Sequence, residues 1–111
     1  MLYDLNTRSS VNVSEDVRGP KTTTTVSVSN TVGVALAANA NRAVFGIYNI
    51  GTTPVFIREG AVVTSTLYDF IIPPGFYWKE DFNNSPRYLG AIAAITASGT
   101  SSLQVSEAVM I

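Results

Sequence analysis

Short apolar or alternating runs recur every 8–12 residues along most of this chain of 111 residues, each cut off by Gly, Pro, Asn or Ser. That rhythm is the strongest constraint in the sequence, because runs this short suit strands better than helices. Thr24, Val26 and Val28 alternate with Thr25, Ser27 and Ser29, a period of two with one apolar face. A second part, 31–36, follows a kink at Asn30 or Gly33, and residues 37–41 form a loop of small residues. Residues 43–49 read as a strand with Phe45 and Ile47 on one face; 51–54 form a turn, and 55–58 return as the second half of a hairpin ended by Glu59-Gly60. Residues 66–72 form another strand, stopped by Pro73-Pro74, because a proline pair cannot sit inside a sheet ladder. The short aromatic run 76–79 comes next, then a loop at 83–86, then 88–96, apolar on both faces as a central strand is. Ala97-Ser98-Gly99-Thr100 is read as a hairpin turn into a last strand, 101–109, with Leu103, Val105 and Ala108 inward. The Ala-rich 91–97 is the one helical candidate, and Ile92, Ile95 and the flanking Gly90 and Gly99 favour a strand. The expectation is all-β: an antiparallel β-sandwich or jelly-roll-like small barrel of seven to eight strands.

Charge divides the chain. Residues 1–21 hold Asp4, Arg8, Glu15, Asp16, Arg18 and Lys21, six charges, while 22–111 hold nine. The first stretch lacks periodicity and ends at the break Gly19-Pro20. It reads as an extended N-terminal arm, with 22–111 as the β-sandwich domain. Fully extended, such an arm reaches about 70 Å, and its tip carries the apolar Leu2, Tyr3 and Leu5, which suit an anchor on a neighbouring subunit. A loose tail, or a first strand packed on its own domain, fits the same residues.

Composition then removes function classes. The chain has no Cys and no His, so no disulfide, no Cys- or His-based zinc site and no Ser-His-Asp or Cys-His nucleophile is expected. Charged residues are 14% and the net charge is −1, which leaves no basic stripe for nucleic acid and no polybasic patch for a membrane. No apolar run approaches the ~20 residues that span a bilayer, and the first residues lack a basic then apolar targeting pattern. In place of charge stand 11 Ser and 12 Thr. Such a surface is cheap to desolvate and suits a protein in lasting contact with others, although Thr also simply favours strands.

The remaining chemical candidates are weak. Glu59, Asp69, Glu80, Asp81 and Glu107 have no spacing that places a pair in a cleft, and Glu80-Asp81 beside Lys79 reads as a solvated cluster. Asp81-Phe82-Asn83-Asn84 offers oxygen ligands but lacks the acidic density of a calcium loop. No catalytic residue, cofactor, metal or small-molecule substrate is expected, and no glycine run has the spacing of a phosphate cradle. In Phe76-Tyr77-Trp78, strand alternation sends Tyr77 to one side and Phe76 and Trp78 to the other. One or two of these rings belong in the core, and Tyr77 and Trp78 are candidates for an inter-subunit contact.

The stretch from Ala40-Asn41-Arg42 to Asn49-Ile50-Gly51-Thr52-Thr53-Pro54-Val55, with Phe70-Ile71-Ile72-Pro73-Pro74-Gly75, Tyr88-Leu89-Gly90-Ala91-Ile92 and Ala97-Ser98-Gly99-Thr100, resembles the small β-sandwich virion proteins of tailed bacteriophages. The resemblance covers 40–111 and implies a capsid decoration, or cement, protein. Such a protein sits on the capsid exterior after assembly in the host cytoplasm. It binds the major capsid protein, bridges neighbouring subunits and often forms a homotrimer. Two alternatives stand beside it: a carbohydrate-binding or host-recognition module of a phage fibre, which needs an exposed Trp78, and a tail or neck adaptor.

Overall fold

The structure is a computed structural model and describes residues 17–80 and 87–111. It is all-β, with strands β1 (Thr22–Val28), β2 (Gly33–Leu36), β3 (Arg42–Asn49), β4 (Val55–Glu59), β5 (Phe70–Ile72), β6 (Tyr77–Glu80), β7 (Ile92–Ile95) and β8 (Ser101–Val109). They form two four-stranded antiparallel sheets, β1-β8-β3-β6 and β2-β7-β4-β5. The first pairs with the last, the second with the seventh, the third with the sixth and the fourth with the fifth. The chain is thus one antiparallel ribbon, folded back between β4 and β5 and rolled into a sandwich, the jelly-roll form.

Alternation sets the core. Phe45, Ile47, Leu103 and Val105 from one sheet meet Val55, Ile57 and Ile92 from the other, all of them buried. Each such side chain contributes about 1.5–3 kcal/mol on burial. The parity breaks at a bulge in β3, where Arg42 pairs with Val109 and Val44 with Ala108, leaving Ala43 as the extra residue. That bulge lets Ala43, Val44 and Ala108 form a second small cluster at the end of the sandwich.

Two of the expected hairpins are something else. The turns 51–54 and 97–100 carry the chain from one sheet to the other, since β3 and β8 lie in one sheet and β4 and β7 in the other. Turn residues specify a reversal of direction and not the sheet in which the next strand pairs. Among the described strands, consecutive ones pair only at β4 and β5. The run 66–72 yields strand only from Phe70, because the Thr64 hydroxyl accepts the amides of Thr66 and Leu67, a local turn that competes with the ladder. The run 88–96 begins its strand at Ile92, because the carbonyls of Tyr88 and Gly90 accept from Arg42 and that of Leu89 from Asn39. At the other end, pairing extends upstream of Thr22: Arg18 bridges to Met110, and Gly19 donates to the carbonyl of Val109.

Candidate functional site

Among the described residues no group of three or more Asp or Glu is placed to hold a metal ion. The loop Asp81 to Asn84 lies outside the described residues. Glu107 follows the inner parity of β8 and is neutralised there, its carboxylate 2.6 Å from Nε of the buried Arg42. Arg42 also donates to the carbonyls of Ala37, Tyr88 and Gly90, and its guanidinium lies 5.6 Å from the centre of the Phe45 ring. This buried charge is a staple between loops. Glu59 gathers with Asp69 and Glu80, and its carboxyl is held above the usual range by partial burial first, then by the two neighbouring carboxylates. Asp69 is occupied in turn, accepting the Glu59 amide at 2.9 Å.

Asn49 is a second staple that sequence reading missed. Fully buried, it donates through Nδ2 to the carbonyls of Thr53 and Ile72 and accepts through Oδ1 from the Gly51 amide and the Ser101 hydroxyl. All four hydrogen-bonding positions of the amide are filled. The residue ties the β3–β4 crossing to the end of β5 and the start of β8. A strand-ending Asn two residues before Gly is the one local signal that points to it.

The outsides of the two sheets differ. On β2-β7-β4-β5 the inner residues Val55 and Ile57 leave Phe56 facing outward, in register with Ile71 on β5 and Ile95 on β7. Val34 on β2 continues this face at 58% exposed, and Ile71 is 43% exposed. The segment 60–69 folds back over part of the face: Tyr68 packs edge-on against Phe56 at 5.0 Å, and Arg58 donates to the carbonyl of Val62. Edge strands β2 and β5 contain no charged residue. Beside β2, a groove of about 210 Å³ opens between the edges of β1 and β2, lined in part by Val26, Val28, Val32 and Val34.

The outer face of β1-β8-β3-β6 is polar, with an aromatic pair at one edge. Tyr77 on β6 stands opposite Tyr48 on β3, and Gln104 and Thr25 complete that row. The adjacent outward row is Lys79, Gly46, Ser106 and Thr23. Between these rows lies a groove of about 390 Å³. Among the described residues, neither this groove nor the smaller one has a carboxylate in its wall.

The sequence-predicted contact residues therefore separate. Tyr77 is 66% exposed, on the outer face. Trp78 turns inward opposite Ile47 and is half-buried, edge-on to Phe45 at 5.1 Å and against Phe70 at 4.3 Å, where it closes the side of the sandwich between β5 and β6. Phe76 does not follow the alternation; it precedes β6 in a turn, its amide bonded to Pro73, and it is exposed. Leu2, Tyr3 and Leu5 lie outside the described residues.

No family model matches this sequence, and no curated protein matches it. Among solved structures the chain is similar to a Bacillus endospore appendage, from a family of disulfide-linked pili, with a TM-score of 0.49 and 8% identity over 96% of this chain and 99% of that one.

Proposed function

We propose that this protein is a structural contact module, a capsid decoration protein of a tailed bacteriophage, which binds neighbouring subunits through the outer face of β2-β7-β4-β5. One observation carries the reading: that sheet is apolar inside and mainly apolar outside, with Arg58 as the charged residue in its outward rows. An antiparallel sheet with one solvated face normally alternates apolar-in and polar-out, whereas here Ile71, Phe56, Ile95, Val34 and Ala93 stand outward and Arg58 alone among these positions is charged. A sheet built this way belongs under another layer, and exposed apolar patches of this kind mark interaction sites. The uncharged edges β2 and β5 support the same view, since they lack the charges that discourage edge-to-edge pairing and rely on their shortness alone. Copies of the chain, as a homotrimer, and the major capsid protein are the proposed occupants.

Electron microscopy of particles assembled with and without this chain tests the reading. The expected result is extra density on the outer shell at its symmetry axes. Density confined to the tail or neck would sink the decoration role in favour of an adaptor.

A further inference from the structure

The polar sheet carries a feature that subunit contact through the opposite sheet does not use. Gly46 lies in the middle of β3, hydrogen-bonded between β6 and β8. Glycine weakens a strand, and inside a sheet it often marks a place where something approaches the backbone closely. The fold itself does not demand it. A Cβ there would meet only the Ser106 hydroxyl at 3.2 Å, a group free to rotate, and the Lys79 Cβ at 3.8 Å. What the missing side chain does is open the floor of the groove.

The walls of that groove form a coherent set. Tyr48 and Tyr77 stand side by side as a paired aromatic edge, 44% and 66% exposed. Gln104, Ser106 and Thr23 line the floor beyond Gly46 with an amide and two hydroxyls, each able to donate and accept. Lys79 and Lys21 stand at opposite sides, on or beside the edge strands β6 and β1, with about 14 Å of sheet between those edges. Two ammonium groups, with no carboxylate in the wall among the described residues, give the groove a positive sign on a chain of net charge −1. Its volume, about 390 Å³, lies within the range of small-ligand sites.

We infer that this groove binds an acidic oligosaccharide, two or three sugar units carrying carboxylate or sulfate. Aromatic faces take the C–H faces of sugar rings. The amide and hydroxyls match sugar hydroxyls, which also donate and accept. The flanking lysines pair with the acid groups. A neutral glycan leaves both ammonium groups unused, and an acidic peptide presents no flat C–H face to the tyrosines. The groove is on the sheet opposite the proposed subunit interface, so this inference and the decoration role stand or fall separately.

Titration of the full chain with trigalacturonate and with sialyllactose, followed by calorimetry and by amide NMR shifts, is the test. Maltotriose serves as the neutral sugar and triglutamate as the acidic non-sugar. At least one acidic sugar binds, moving the amides of Gly46, Tyr48, Gln104 and Ser106, and binds at least tenfold more tightly than maltotriose or triglutamate. Gly46→Thr fills the floor and abolishes binding while the melting temperature stays level or rises. Tyr77→Ala, at an exposed edge position that does not endanger folding, weakens binding at least tenfold. The inference is overturned if neither acidic sugar shifts these amides, if triglutamate binds equally well, or if Tyr77→Ala binds as tightly as the parent.

Discussion

Arg42 is where residue-scale physics is most concentrated. A guanidinium this deeply buried is tolerable only because Glu107 and three carbonyls surround it. Arg42→Ala leaves Glu107 facing the interior alone and is expected to cost about 3–5 kcal/mol in denaturant unfolding. The double variant with Glu107→Ala should cost less than the sum of the two single changes, because the second change removes the orphaned charge. Gly51 is constrained in another way. A Cβ there would sit 2.1 Å from the Ser101 hydroxyl and 2.6 Å from the Ser102 amide. Gly51→Ala must therefore push apart the β3–β4 crossing and the start of β8, at a cost of about 3 kcal/mol or more. Little of this was legible in the sequence. The inward parity of Phe45, Ile47, Leu103 and Val105 could be read from alternation, but Arg42 and its partner are 65 positions apart. No local pattern announces a pair that only the rolled ribbon brings together.

The elements themselves were largely legible, and their partners were not. Runs and breaks mark eight strands because each strand must present one side to the core, and Gly-Pro-Asn clusters must end it. Whether a turn makes a hairpin or a crossing depends on the far half of the ribbon. The turns at 51–54 and 97–100 therefore read as hairpins although they join different sheets. At the far end of β4, Glu59 shows how crossing elements interact. Partial burial and the carboxylates of Glu80 and Asp69 raise its pKa above the ordinary glutamate range near 4.3. A raised carboxyl favours folding while it is protonated, so its contribution is full below the ordinary range and is lost as pH climbs through the raised value. Glu59→Gln should thus stabilise the protein at pH 7 by a small amount, since water screens a group that is only partly buried. The gain should vanish by about pH 4; thermal melts of both proteins across that range check it, and a gain that grows toward acid contradicts the sign.

At the scale of the whole molecule, the sandwich has two unlike outsides. One sheet exposes Thr, Ser and Gln beside a tyrosine pair, and the other exposes Ile71 and Val34 around Phe56 and Ile95. The low charge and abundant hydroxyls visible in the sequence fit a protein that spends little on hydration, yet they did not say which side meets a neighbour. Only the pairing registers separate outward from inward apolar residues, and so turn a composition into a face. If the apolar face of β2-β7-β4-β5 is an interface, as proposed, the chain associates in solution and charge on that face separates it. The most direct test is the mass of the intact chain by light scattering at micromolar concentration, beside the variant Val34→Glu/Ile71→Glu, with circular dichroism confirming that both fold. The expected result is a parent of about three chain masses and a folded, monomeric variant. A parent that runs as a monomer, or a folded variant that keeps the parent's mass, would contradict the proposed interface.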